Sequence, residues 1–337
     1  MSLTVAINGF GRMGRLFFRT LWDTPGIEIV HINEPEGTIE CSAHLLEFDS
    51  VHGKFLPEQI TVEDTSILIG NKRVKHTQHD NMSETDWNKV DLLVDCSGKY
   101  RKTALFNPVF NQGVKKILVS CPVKDEGTLN IAYGVNHQLY EHEKNHLVTA
   151  ASCTTNCLAP VIKVLLENFG IEQGAMTTIH DITNTQRIID SAHKDLRRAR
   201  SCGESLIPTS SGSTTAIMKI FPELEGKLNG LAVRVPTVNA SIVDLVVKTS
   251  RTTSVEEVND AFEKAAKNEL NTILGYETRP LVSVDYKDDK RSGIVDALST
   301  QVTQGDMVKV IAWYDNEINY VERMKDITLM IAEKIAE

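Results

Sequence analysis

The sequence predicts an α/β fold in two parts. Residues 1–152 should form a doubly wound parallel sheet, and residues 153–317 an α+β part with a mostly antiparallel or mixed sheet. A terminal helix over 318–337 should pack back on the first part. Three observations predict this. A strand, a glycine cluster, a helix and a second strand follow one another within the first 32 residues. Further apolar runs before residue 150 are continuous, as parallel strands covered on both faces require. After residue 150 the runs lengthen and one long apolar helix intervenes.

The first strand is Thr4-Val5-Ala6-Ile7, apolar and β-branched. The stretch with Leu16, Phe17, Leu21 and Trp22 is amphipathic, and Ile27–Ile32 is the next strand. Together they make a βαβ unit. Asp91–Asp95 and Lys116–Ser120 are further buried strands. Residues 153–166, with Leu158, Val161, Ile162, Val164 and Leu165, form the long helix. Strands are expected at Ala175–His180, Gly230–Val235, Ser241–Val247, Leu281–Val284 and Met307–Trp313. Residues 181–212 are polar and aperiodic, and a loop of that length in a compact domain is usually functional. Glu322–Ala336 is an amphipathic terminal helix. No internal repeat or low-complexity tract interrupts the chain.

Composition bounds the function. The chain has 337 residues, which at roughly 150 per domain suggests two domains. Its 41% hydrophobic and 24% charged residues suit a water-soluble globular protein. A chain of this size buries its core without disulfides or metals, and no ligand cluster suggests a metal. The formal net charge of −9 repels phosphate backbones and removes electrostatic support for nucleic-acid binding. Small anions remain possible, because they need only a local cluster. Six cysteines, with no secretory leader expected before Leu3, read as reduced thiols in a cytoplasmic enzyme. No apolar run reaches the roughly 18 residues of a membrane span.

Gly9-Phe10-Gly11-Arg12-Met13-Gly14 matches G-x-G-x-x-G. The pattern alone is weak, but here it follows a strand, opens a helix, and is followed twenty positions on by Glu34 at the end of the next strand. That is the full Rossmann dinucleotide fingerprint. Gly9 makes the tight turn, Gly11 lets the backbone approach a pyrophosphate, and Gly14 lets the helix pack on the strand. The helix N-terminus then faces the phosphates. Glu34 would accept the ribose hydroxyls and repel a 2′-phosphate, which favours NAD over NADP.

Cys153 opens the long helix, where the dipole stabilises a thiolate. A thiolate is the nucleophile an aldehyde needs. A cysteine at a helix start is nonetheless more often structural. Cys157, one turn on, reads as an inert packed thiol. His180 closes a strand and His193 lies in the polar loop; spacing alone does not choose between them as a base.

The chain resembles the glyceraldehyde-3-phosphate dehydrogenase family over nearly its whole length. The resemblance rests on Ala6–Arg12, Leu45–Gly53, Ala151–Leu158 with Ala159-Pro160, His193–Arg200, Gly226–Leu228, Arg234–Thr237 and Trp313–Glu317. It implies phosphorylating oxidation of glyceraldehyde 3-phosphate with NAD, in a homotetramer whose 181–212 loop lies near a neighbour's cofactor. Cys153 matches the nucleophile and His180 the base. Ser152, Thr154, Ser211 and Gly212 match the site for the attacking inorganic phosphate. Thr183, Thr185 and Arg234 match the site for the substrate's phosphate, with Arg197 between the two. Asn8, Gly9, Gly11, Arg12, Met13, Gly14 and Glu34 match the cofactor site, with Ser97, Gly98 and Ser120. Asn316 matches the residue that orients the nicotinamide amide, and Tyr320 stands on the same cofactor side.

Some positions depart from the common family pattern. Ser211 replaces Thr and keeps the hydroxyl, and Thr215 replaces a frequent Lys. Ile318-Asn319 replaces Trp-Gly beside Asn316, which alters the nicotinamide surroundings. Ser191-Ala192 replaces a bulkier pair that helps to exclude NADP. Asn33-Glu34-Pro35 and Arg200–Pro208 resemble most the branch associated with the ArsJ arsenate-efflux permease, which implies arsenate in place of phosphate. Two alternatives stay open: an erythrose-4-phosphate dehydrogenase that hydrolyses its thioester, and a catalytically silent binding or moonlighting protein.

Overall fold

The structure, a computed structural model, describes residues 2–55, 59–123, 125 and 127–336. The chain divides into two compact units. The first comprises Met1–Ile131, His137–Ala151 and Val321–Glu337; the second comprises Ala132–Asn136 and Ser152–Tyr320. Among the described residues no helix is long and apolar enough to cross a membrane.

The first unit is built on a nine-stranded sheet. The strand Leu3–Asn8 lies between Ile27–Asn33 on one side and Leu92–Asp95 on the other, parallel to both. Lys116–Val119 and Leu147–Thr149 continue the parallel order. Lys72–Thr77 extends the other side and leads into two antiparallel strands, Ser66–Ile69 and Ile60–Glu63. The strand order therefore reverses at Leu3–Asn8. In an open α/β sheet the ligand crevice lies beyond the strand C-termini at such a switch point. Every residue of Leu92–Asp95 and Lys116–Val119 is buried. For Lys116 this works because its ammonium donates to the carbonyls of His142 and Asn145.

The second unit carries an eight-stranded mixed sheet. Gln173–His180 pairs parallel with Leu228–Arg234 and antiparallel with Ser241–Lys248. Met307–Tyr314 pairs antiparallel with Ser241–Lys248. Buried and half-buried residues alternate along Ser241–Lys248, as in a strand with one face on a core. That core is supplied by the helix Cys153–Phe169, apolar on most of its circumference and almost wholly buried. The helix stops at Gly170, whose φ of 69° favours glycine; a Cβ there would also lie 2.7 Å from Ser250 Oγ.

Leu281–Val284, expected as a strand, is not one: a 3₁₀ turn occupies Ser283–Tyr286. Pro280 precedes the run, Val282 and Val284 are 57% and 69% exposed, and the Val282 amide donates to Asp285 Oδ2 at 2.8 Å. Alternating apolar residues resemble a strand even when neither side is covered. The strands actually present nearby are Leu274–Glu277 and Gly293–Asp296, which pair in parallel. Each contains a glycine, which weakens a strand signal. Here both are steric, since a Cβ on Gly275 would meet the Arg291 guanidinium at 2.5 Å and one on Gly293 the Cys157 sulfur at 3.0 Å. The polar stretch 181–212 is largely irregular, but its end, Ile207–Ser210, is a strand paired with Leu228–Arg234.

Candidate active site

The glycine cluster shows three different uses of a missing Cβ. Gly9 has φ +89°, and a Cβ on it would stand 2.5 Å from the Ser97 amide nitrogen. A Cβ on Gly14 would strike the Gly9 carbonyl oxygen at 2.1 Å, so the helix Arg12–Leu21 packs against the turn. Gly11 differs: nothing of the protein lies within 4 Å of its Cβ position. It is the N-cap of that helix and offers no side-chain cap, so an anion there would meet the positive end of the helix dipole. A bound pyrophosphate accounts for a glycine there, because only glycine lets the backbone come that close.

A cleft of about 200 Å³ opens beside the turn, lined by Asn8, Gly9, Gly11, Glu34 and Ser97 among others. Glu34 accepts from the Phe10 amide at 2.5 Å and the Glu36 amide at 2.9 Å, so its carboxylate stands over the turn. Below it runs a buried amide chain. Asn33 donates to Asn8 at 2.9 Å, and Asn8 donates to Asp95 at 2.7 Å. Ser97 donates its hydroxyl to Asp95 at 2.7 Å. Burial pushes the Asp95 carboxyl up to about 6, against the pull of those hydrogen bonds. Arg12 is paired with Asp49. Met13 and Ser120 are half-buried, and Gly98 adopts φ +66°.

The second unit assembles the thiol site from separated segments. Ser152 caps the helix Cys153–Phe169, its hydroxyl accepting from the Thr155 amide at 3.2 Å. Cys153 Sγ lies 3.7 Å from His180 Nε2. Of the two histidines that spacing left open, His180 is the one whose ring lies beside Cys153. It is buried at the end of its strand, while His193 Nδ1 turns back on the amide of Asp195 at 2.9 Å. Burial alone would lower the His180 pKa, but Asp181 and the Cys153 sulfur outweigh it and raise it to about 9. Arg234 brings Nη1 to 2.7 Å from His180 Nδ1. Cys157 is wholly buried, and burial first, then the neighbouring Cys153, raises its thiol well above the ordinary value. All six cysteines are free.

Two segments of the chain match known family models. Residues 3–103 match the model for the glyceraldehyde 3-phosphate dehydrogenase NAD binding domain, and residues 152–316 match that for the C-terminal domain of the same enzyme. The chain belongs to the glyceraldehyde 3-phosphate dehydrogenase family. It is 55% identical over 336 residues to glyceraldehyde-3-phosphate dehydrogenase 3 of Nostoc sp., covering 98% of this chain and 99% of that one. It is 45% identical to the Geobacillus stearothermophilus enzyme and 44% identical to glyceraldehyde-3-phosphate dehydrogenase 1 of Bacillus subtilis, each over 99% of both chains. The NAD-binding domain of the family is thus the part that carries the glycine turn.

Set against the family resemblance, the anion residues divide. Thr183 and Thr185 face each other with hydroxyls 3.0 Å apart. Ser211 accepts from the Ser213 amide at 3.3 Å, and Gly212 is the uncapped start of the helix Ser213–Ile220. Thr154 is buried with its hydroxyl 2.9 Å from that of Tyr314. Arg197 is exposed, and its guanidinium donates to the Pro208 carbonyl at 3.4 Å. Its neighbour Arg198 is the one whose charge reaches Arg234. Arg198 is held by Thr209 Oγ1 at 2.8 Å, and Thr209 in turn by Asp195 at 2.7 Å. Both adjacent arginines are tethered to the strand Ile207–Ser210. Asn316 accepts from Ser241 Oγ at 3.3 Å, and Tyr320 is buried. Asn319, in place of the common Gly, is buried and donates to the Ser292 carbonyl at 2.8 Å.

Sequence reading also missed Asp181 and Tyr314. Asp181 follows His180 directly, and along a strand adjacent residues point to opposite faces. The strand ends at His180, so that rule fails there.

Proposed function

We propose that this chain oxidises glyceraldehyde 3-phosphate with NAD and inorganic phosphate, giving 1,3-bisphosphoglycerate. The observation that carries the reading is the Cys153 sulfur 3.7 Å from a buried imidazole at the start of a helix. Cys153 adds to the aldehyde to form a thiohemiacetal. Its backbone N–H and the His180 imidazolium are the donors for the oxyanion. His180 takes the hydroxyl proton as the thiohemiacetal is oxidised to a thioester. NAD, when bound, supplies the two-electron acceptor. The glycine turn and Glu34 hold it, and the open Cβ position of Gly11 fits its pyrophosphate. We add Asn316 and Tyr320 on the cofactor side from the resemblance alone.

Phosphate then attacks the thioester. Ser152, Thr154, Ser211 and Gly212 are assigned to that anion, and Thr183, Thr185 and Arg234 to the substrate's phosphate. Arg197 is assigned between the two anions, where its guanidinium fork would meet phosphate oxygens in pairs. Arsenate has nearly the shape and charge of phosphate, and no residue here prefers one.

The test is initial NADH formation from glyceraldehyde 3-phosphate with phosphate, with arsenate and with neither, beside the same series on erythrose 4-phosphate. The expected outcome is fast triose turnover that requires an anion. Tetrose turnover without any anion would mean hydrolysis of the thioester and overturn the anion-site assignment. Absence of NADH from every substrate would leave the binding-protein alternative. A homotetramer belongs to the reading, and light scattering on the same preparation gives the mass.

A further inference from the structure

We propose that Asp181 is a positioning residue of the thiol site, a buried carboxylate that fixes His180 as the imidazolium partner of Cys153. The inference rests on the proposed thiol chemistry and adds a third member to it.

Asp181 is 1% exposed, and its Oδ1 lies 2.7 Å from His180 Nδ1. The contact is an ion pair rather than an aligned hydrogen bond, for that oxygen has no donor in hydrogen-bonding geometry. A buried carboxylate so placed is tolerable only beside positive charge. Two cations supply it, the imidazolium and Arg234.

The carboxylate is held in place by its neighbours. The Asp181 amide donates to Ser241 Oγ at 3.1 Å. Ser241 donates to Asn316 Oδ1 at 3.3 Å, and Asn316 acts to favour the charged Asp181 carboxylate. These contacts leave Asp181 little freedom to turn away.

Three elements packed on His180 contribute a charged or titratable group. Cys153 comes from the long helix, Arg234 from the strand Leu228–Arg234 and Tyr314 from the strand Met307–Tyr314. Glu317 acts on Asp181, and Arg198 on Arg234. With the thiolate formed, Cys153, His180, Asp181 and Arg234 sum to zero charge. Remove Asp181 and one positive charge is left over in a buried place. His180 would then shed its proton, because Arg234 Nη1 stands 2.7 Å from Nδ1 and can donate to it. The guanidinium selects a neutral imidazole with Nδ1 as acceptor. Asp181 opposes that choice and keeps Nδ1 protonated, with the Asp181 carbonyl at 3.0 Å as a further acceptor.

The sign follows. The His180 pKa is raised to about 9, so the imidazolium persists below that pH and is lost as pH rises through it. Without Asp181, Cys153 alone is left to oppose burial and Arg234, and the loss moves to lower pH.

The test compares wild type, Asp181→Asn and Asp181→Ser, each also in a Cys153→Ser background that removes the thiolate's own share. Proton NMR of the His180 ring, assigned with His180→Asn, gives the titration. The expected result is a midpoint above the ordinary 6.5 or so in Cys153→Ser and below it when Asp181 is also replaced. Alkylation of Cys153 by iodoacetamide at neutral pH should slow at least about tenfold in Asp181→Asn, as a shift of one unit or more implies. An unchanged titration and alkylation profile in Asp181→Asn would overturn the proposal. If the variants do not fold, the Cys153→Ser titration decides alone: a midpoint at or below 6.5 overturns it. Wild type that forms no NADH would sink the proposed reaction while leaving both readouts of Asp181 intact.

Discussion

Two helices of this molecule begin at functional positions, and they begin differently. Arg12–Leu21 starts behind Gly11, with no side-chain cap. Cys153–Phe169 starts behind Ser152, whose hydroxyl occupies the Thr155 amide. The uncapped helix offers its own backbone, so its ligand is an outside anion. The capped helix spends an amide on itself and offers a side chain, the thiol of Cys153. The same dipole is directed to a visitor in one case and to a resident in the other. A helix N-terminus is therefore not one kind of site; the capping residue decides which kind it is.

The comparison can be broken at each end. Cys153→Ala should lose roughly 10⁴-fold or more in kcat/KM for aldehyde oxidation while NAD binding by titration calorimetry stays intact. Loss of NAD binding as well would show that the second helix start is not a separate device. At the first helix, Gly11→Ala should fold with an unchanged melting temperature and bind NAD roughly tenfold or more weakly, about 1.4 kcal/mol. Gly9→Ala should instead destabilise the fold by roughly 1–3 kcal/mol, because φ +89° and the Ser97 backbone both oppose a side chain. Equal effects of the two alanines would remove the distinction between a ligand-facing and a structural glycine. The smallest effect is Ser152→Ala, which should cost about 1 kcal/mol in denaturant unfolding as the cap is lost. A stability unchanged within error would show that the Ser152 cap contributes nothing.

The two regions also differ in how they are written in the sequence. The glycine turn lies in six consecutive residues plus Glu34, and each role follows from local backbone geometry. The tight turn at Gly9 and the close packing at Gly14 were legible there. The thiol site draws on residues near 153, 180, 234 and 314, brought together by a mixed sheet whose register no local pattern encodes. From the residues alone Cys153 was a plausible nucleophile and His180 one of two histidines; the family resemblance, not spacing, named them. Asp181 was unreadable for a related reason, since its direction depends on where a strand stops. The false strand at Leu281–Val284 shows the converse, a pattern without a surface to pack on.

The buried hydroxyls beside Cys153 form a row. Thr178 lies 3.2 Å from the Ile242 carbonyl and 2.8 Å from the Tyr314 hydroxyl, which in turn lies 2.9 Å from that of Thr154. In the two hydroxyl–hydroxyl contacts either oxygen can donate, so the row can pass its hydrogens in either sense. The orientation of one hydroxyl then bears on that of the next, as in any chain of hydrogen-bonded hydroxyls, and a change at Thr154 is felt two residues away at Thr178.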